Sequence, residues 1–286
     1  MNPLTDAPIR WPAEAIWEAV APTLPGFTVE VLPTVDSTNT ELMRRFRAAG
    51  PAGAEPVLLV AEQQSAGRGR LGRAWHSRAG DSLTFSLGLP LPPVPLSGLS
   101  LAIGVSIAES LQPAAPRDGE AGIRLKWPND LWLTDAQGER KLAGILVETA
   151  NLGEQRYVVI GVGINIRALA LEPSTAPDPV AALAPAPLQA LLPDMQVAQA
   201  LQRVAAPLVQ AVQAFALFGF APFQARFAAR DVLAGRAVRL SDGTEGTAHG
   251  VGENGALLVH TAAGMQEITS SEVSVRPIAG RGTATC

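Results

Sequence analysis

The chain has 286 residues, of which 47% are hydrophobic and 17% charged, and its formal net charge is -4. That length and apolar share suit one large globular domain or two, and the acidic balance argues against electrostatic capture of DNA or RNA, which needs a basic surface. A single cysteine, Cys286, excludes an intrachain disulfide and a cysteine-built metal site, and it fits a reducing compartment.

In chain order, residues 1–33 carry Asp6, Glu14 and Glu18 among several prolines, without the basic and apolar regions of a secretory leader. They read as an N-terminal extension, too short and proline-interrupted for a winged helix-turn-helix. No segment supplies the roughly 18 unbroken apolar residues of a membrane span; the apolar run at 180–192 is broken at Pro185 and Pro187. A cytoplasmic protein is expected. Thr38 and Glu41 then have the spacing of a capping box opening a helix towards Phe46. Ser37, Thr38 and Asn39 are either plain caps or, at a helix N-terminus with unpaired N–H groups, donors for a small polar ligand.

Val57-Leu58-Leu59-Val60-Ala61 reads as a strand, and so does Leu83 to Leu89. Between them lies Gly67-Arg68-Gly69-Arg70-Leu71-Gly72-Arg73. Glycine lets a backbone approach a ligand closely and arginine offers a fixed fork of donors, so this loop is either a solvated basic turn or a wrapping for an anion. Past a proline cluster at 90–95, residues 98–111 read as a buried helix, with Leu99, Ile103, Ile107 and Leu111 on one stripe.

Ile123 to Trp127 reads as a strand turned by Pro128-Asn129-Asp130 into Leu131-Trp132-Leu133. Lys126, Asn129 and Asp130 are either turn chemistry or the polar wall of a site. Lys141, just before the strand Leu142 to Val147, is either a snorkelling surface charge or part of that wall, while Gly144 inside the strand suggests close approach by another group. Tyr157 to Ile166 is β-branched, with Gly161, Gly163 and a lone Asn165. It has no GxxG continuation and no following helix, so a Rossmann fingerprint is excluded. Residues 167–193 read as an irregular connection. A helix is expected from Met195 to Phe218, kinked or split at Pro207, and another from Pro222 to Asp231. Beyond Leu233 the period changes to two, with turns at Asp242-Gly243, Asn254-Gly255 and Ala263-Gly264, which describes a small all-β module.

The order of these motifs over residues 33–278 resembles the biotin-protein ligases, also called biotin-[acetyl-CoA-carboxylase] ligases. The matching residues are Ser37-Thr38-Asn39, the GRGRxGR loop with Trp75, Lys126-Trp127-Pro128-Asn129-Asp130, Lys141-Leu142-Ala143-Gly144-Ile145-Leu146-Val147-Glu148, and Gly161-Val162-Gly163-Ile164-Asn165. The resemblance implies an α+β fold: a class II aminoacyl-tRNA synthetase-like, biotin-lipoate ligase catalytic domain at 34–232 with a mixed, largely antiparallel sheet, and an SH3-like β-barrel at 233–280. It implies ATP-dependent ligation of biotin to a lysine of a biotin carboxyl carrier protein, of acetyl-CoA carboxylase or a similar biotin-dependent carboxylase, through biotinyl-5'-AMP. ATP, biotin and Mg2+ are implied, the metal riding on the ATP phosphates and not in a protein cage.

By matched position, Ser37, Thr38, Asn39 and Gln64 would hold the ureido end of biotin, with Gly67, Gly144 and Gly161 beside them. Arg68, Gly69 and Arg70 would fold over the ligand, and Arg70 and Lys141 would meet the carboxylate and phosphate. Arg73, Trp75, Lys126, Asn129 and Asn165 would serve the nucleotide. Asp130 is either the base for the carrier lysine or a buttress of its turn. Many relatives carry an N-terminal DNA-binding domain; this chain is expected to be monofunctional, without DNA or membrane partners, and a homodimer through a sheet edge stays open.

Overall fold

The computed structural model describes residues 8–50, 54–152, 155–168, 185–269 and 275–277. Residues 169–184 of the connection read at 167–193, and Cys286, lie outside the described residues. In order, the first elements are helix α1 (Ala13–Val20), strand β1 (Thr28–Val35), helix α2 (Thr38–Ala49), β2 (Val57–Gln64), β3 (Ser82–Leu91) and helix α3 (Leu99–Leu111). Strands β4 (Gly122–Lys126), β5 (Asp130–Asp135), β6 (Gly138–Leu152) and β7 (Gln155–Asn165) complete a seven-stranded sheet in the order β1-β2-β3-β7-β6-β5-β4. Only β1 and β2 run parallel and the other pairs are antiparallel, the mixed sheet expected of the α+β class.

Period-two alternation sorts each strand between two faces. On β3, Leu83, Phe85, Leu87 and Leu89 join the main core, while Thr84, Ser86 and Gly88 point the other way. Leu58 and Val60 of β2 join the same main core, whereas Val57 and Leu59 pack with Leu42, Met43 and Phe46 of α2. The sheet therefore has α2 on one face and α3 with the later helices on the other. Its central strands are apolar runs because both sides are covered.

Helix α4 (Val197–Phe218) packs along α3 and runs unbroken through Pro207. A proline inside a helix costs about 3 kcal/mol, but burial of Leu201, Val204, Leu208 and Val212 on the facing stripe returns roughly 1.5–3 kcal/mol for each side chain. The expected split at Pro207 is thereby overruled by packing. By length and composition α4 is apolar enough to cross a membrane; here it is an amphipathic helix with its apolar stripe in the core. Helix α5 (Ala221–Ala228) follows with Pro222 in its first turn.

Residues 8–33, read from the sequence as an extension, contribute Ile16, Val20 and Phe27 to the main core and most of the edge strand β1. The remaining strands, β8 (Ala237–Leu240), β9 (Glu245–Val251), β10 (Leu257–Thr261), β11 (Gly264–Ile268) and β12 (Val275–Pro277), form a second, antiparallel sheet in the order β11-β10-β9-β8-β12. The short β12 was not foreseen. This sheet docks through its β9–β10 turn: Trp127 Nε1 donates to Gly255 O at 3.1 Å and Ser97 Oγ to Asn254 O at 2.7 Å.

Candidate active site

The register of the large sheet gathers residues from distant motifs into rows. One row runs Lys126, Asp130, Gly144, Gly163 and Thr84 across five neighbouring strands. Two residues along, the next runs Leu146, Gly161 and Ser86. The glycines leave hollows in this face. At Gly161 an added Cβ would overlap Asn39, 2.9 Å from its Cγ, and at Gly163 it would lie 2.7 Å from Trp75 Nε1. Asn39 fills the first hollow and the Trp75 ring fills the second.

The Asn39 end is a closed hydrogen-bond network. Asn39 is only 2% exposed, its Nδ2 donates to Leu146 O at 3.2 Å and Glu148 Oε2 at 2.8 Å, and Ser86 Oγ lies 2.6 Å from both Asn39 Oδ1 and Thr38 Oγ1. A carboxamide oxygen only accepts, so Ser86 is the donor towards Asn39 Oδ1, and the Thr38 hydroxyl beside it donates to Gln64 Oε1 at 3.1 Å. The Thr38 backbone N–H donates to Gln64 Oε1 at 2.7 Å. The N-cap of α2 is Ser37, and Glu41 turns outward to Arg44 and Arg45. The expected Thr38–Glu41 capping box is thus replaced by a simple cap one position earlier, in which the Ser37 side chain accepts from the Thr40 N–H, while the Thr38 hydroxyl is engaged in this network.

The loop carrying the arginines closes on itself. Trp75 N donates to Gly67 O at 2.8 Å and Gly69 N to Arg73 O at 2.7 Å, with a single 3-10 turn, Arg70–Gly72, at the tip. Gly67 does not line the cleft; it lies under the Trp75 carbonyl, where a side chain would clash. Leu71 is 58% exposed at φ 56°, a left-handed conformation uncommon outside glycine.

At the other end, cations surround one carboxylate. Lys141 is within β6, not ahead of it, and its Nζ lies 2.8 Å from Asp130 Oδ1 and 5.7 Å from the Trp75 ring centroid. Lys126 is 9% exposed over the Trp132 ring. Burial pushes its pKa down to about 8 against the opposing pull of Asp130, and Lys141, Arg73 and Arg276 push the same way. Burial also lowers Arg70, while Asp130 acts against it. Arg70 Nη1 donates to Asn129 Oδ1 at 3.3 Å, and Asn129 Nδ2 donates to Ile145 O at 2.7 Å, which holds that turn on β6. Asn165 Nδ2 reaches Lys141 O at 3.4 Å. Among the described residues the buried Trp75 indole N–H finds no acceptor.

A cleft of about 330 Å³ joins the two ends and is lined by every residue proposed from the sequence except Gly67. Sequence reasoning missed Ser86, although a serine on the polar side of the Leu-Thr-Phe-Ser-Leu alternation was a readable signal. It also missed Val275, which the second sheet brings to the rim and which no local pattern announces.

Residues 31–165 match the Biotin/lipoate A/B protein ligase family, and residues 234–276 match the Biotin protein ligase C terminal domain. Over 259 residues the chain is 37% identical to the bifunctional ligase/repressor BirA of Escherichia coli (strain K12), covering 88% of this chain and 75% of that protein. The chain belongs to the biotin/lipoate A/B protein ligase family. Within it, the biotin-[acetyl-CoA-carboxylase] ligase of Paracoccus denitrificans is 31% identical over 256 residues, covering 85% of this chain and 98% of that protein. Among solved structures, the biotin protein ligase from Aquifex aeolicus in complex with biotin and ATP superposes with a TM-score of 0.69 at 28% identity, covering 87% of this chain and 99% of that one.

Proposed function

We infer that this ligase family member joins biotin to a lysine of a carrier protein at the expense of ATP. A biotin carboxylate oxygen attacks the α-phosphorus, the bond to the β-phosphate breaks, and pyrophosphate leaves. The carrier amine then attacks the acyl carbon of biotinyl-5'-AMP, AMP leaves, and the amine gives up a proton. The observation that carries the reading is a cleft with a hydrogen-bonded network centred on the Asn39 amide at one end and a cluster of cations at the other, in a chain that shares its family with biotin ligases.

Bringing a carboxylate against a triphosphate needs fixed positive charge, and phosphoryl transfer is catalysed mainly by positioning and electrostatics. In this reading Arg70 and Lys141 bind the carboxylate and α-phosphate, with Lys126, Asn129, Asn165, Arg73 and Trp75 on the nucleotide. Ser37, Thr38, Asn39 and Gln64 receive the ureido ring, beside Gly144 and Gly161, and Arg68 and Gly69 cover it. The polar residues at the nucleotide end are cations and amides around the one carboxylate that Lys141 neutralises, so a magnesium ion fits here as the triphosphate's own counter-ion. Asp130, once Lys141 turns to the ligand, is the carboxylate placed to take the proton of the carrier lysine. The natural carrier in this reading is a biotin carboxyl carrier protein, and the setting is the cytoplasm.

The test incubates the purified protein with ATP, magnesium, a biotin carrier domain and either biotin or lipoate. Pyrophosphate release and a carrier mass gain with biotin alone are expected. Release with lipoate and none with biotin would overturn the reading.

A further inference from the structure

One carboxylate on the cleft side of the sheet is used by none of these roles. Glu148 lies on β6 two positions beyond Leu146, opposite Val159 of β7. Its Oε2 accepts from Asn39 Nδ2 at 2.8 Å, and both of its oxygens stand 3.0 Å from Arg68 Nη2. It therefore holds two groups of different origin: an amide in the first turn of α2, and a guanidinium from the closed loop, 80 residues away from it in sequence.

The consequence for Asn39 is orientation. A carboxamide turned end for end has nearly the same shape, so only its partners decide which atom points where. Ser86 takes the oxygen side, and Glu148, which accepts and cannot donate, takes the nitrogen side together with Leu146 O. The consequence for Arg68 is tethering. Its side chain is 45% exposed, and an ion pair at that exposure is weak alone, but this one shares its carboxylate with the buried Asn39 amide, which is bonded at both ends.

We propose that Glu148 is a positioning residue that fixes the Asn39 amide for the ureido ring and ties the 67–75 loop to it, so that the wall and the cover of the biotin end are set together. This rests on the biotin-ligase reading. It requires that the effects of Glu148 fall on biotin and on the loop, and not on ATP.

Two variants separate its two bonds. Glu148→Gln keeps an acceptor for Asn39 and gives up the charge facing Arg68; Glu148→Ala removes both. Calorimetric titration with biotin, KM values for biotin and ATP, and the rate of tryptic cleavage at the arginines of the 67–73 loop are read for each. Glu148→Ala is expected to weaken biotin binding about tenfold, the scale of a charge-assisted bond to a buried amide. Glu148→Gln should stay within about threefold of the parent for biotin, yet both variants should be cut in the loop about threefold faster, the scale of a half-exposed ion pair. The KM for ATP should move less than about twofold, within the noise of independent sites.

Equal biotin affinity in the parent and Glu148→Ala, or unchanged loop cleavage in Glu148→Gln, would overturn the proposal. If Glu148→Ala does not fold, the decision falls to Glu148→Gln in a cycle with Arg68→Ala, read only as cleavage after Arg70 and Arg73: the double variant should be cut there as fast as either single one, and additive effects would refute the tether. A parent protein that binds no biotin at all would sink the functional reading instead.

Discussion

Gly161 and Gly163 are two residues apart on one face of β7, and the structure gives them different tasks. An alanine methyl at 161 would occupy the space of the Asn39 carboxamide, and one at 163 the space of the Trp75 ring. In Gly161→Ala, Asn39 must swing out and give up its bonds to Ser86, Glu148 and Leu146. At about 1 kcal/mol for each net hydrogen bond the loss is roughly 3 kcal/mol. About 0.5–1 kcal/mol returns because alanine orders more cheaply than glycine in a strand, leaving a net cost of about 2 kcal/mol in stability. The displaced amide no longer faces the ureido ring, so biotin affinity should fall about 10- to 100-fold, since each factor of ten corresponds to about 1.4 kcal/mol.

In Gly163→Ala the Trp75 ring must lift away from the strand, and its loop gives way because it is a surface hairpin. ATP affinity should fall by about tenfold, on the scale of a lost aromatic contact, with biotin binding nearly unchanged. The assay is calorimetric titration of each variant with each substrate, alongside thermal melts. If both substitutions weakened both substrates equally, the division of the cleft by sheet rows would be wrong. If Gly161→Ala bound biotin as the parent does, Asn39 would have no part in the site.

Lys141→Ala should slow biotinyl-adenylate formation by about 100-fold or more, the scale for removing one preorganised charge from a transition state; a single-turnover rate close to the parent's would make the lysine a surface charge. Lys126, with its pKa pushed down to about 8 by burial, should lose charge as pH rises past that value, so KM for ATP is expected to climb above pH 8 and to climb much less in Lys126→Arg. The same depressed pKa penalises the charged lysine in the fold, a cost present in full below about 8 and gone by the unfolded value of 10.5. Lys126→Met should therefore melt higher than the parent at pH 7, with that advantage shrinking towards pH 10, and a pH-independent difference would contradict the shift. Asp231 is raised to about 6 by burial, against a bond from the Leu233 N–H. Its charged form costs stability above that pH and nothing below the unfolded value of 3.8, so Asp231→Asn should melt higher than the parent at pH 8 and equally at pH 4. A lower melting point at pH 8 would refute this.

Local patterns made much of the protein legible. Period-two alternation marks β3 and the later strands, the four-residue stripe marks α3, and the Gly/Arg loop between two apolar runs marks a loop carried on strands. The motifs named the cleft residues because the chemistry needs cations, amides and glycines of those kinds. Other features were hidden because they depend on partners distant in sequence. Nothing around Thr38 says that its hydroxyl belongs to Ser86, so the cap was read one residue late. Pro207 stays inside an unbroken helix because of what α3 offers to its neighbours. Residues 8–35 gain their place only by packing on α4 and pairing with β2.

The sequence by itself determined which side chains carry charge, which strands have two apolar faces, and which glycines are available for close approach. Tertiary structure decided the register. By setting Gly144 opposite Gly163 and Leu146 opposite Gly161, it turned glycines scattered along two strands into two hollows, one filled by Asn39 and the other by Trp75. It also brought Glu148 to Arg68. Those pairings are non-local, set by strand alignment and burial on both faces of the sheet, and no window of neighbouring residues contains them.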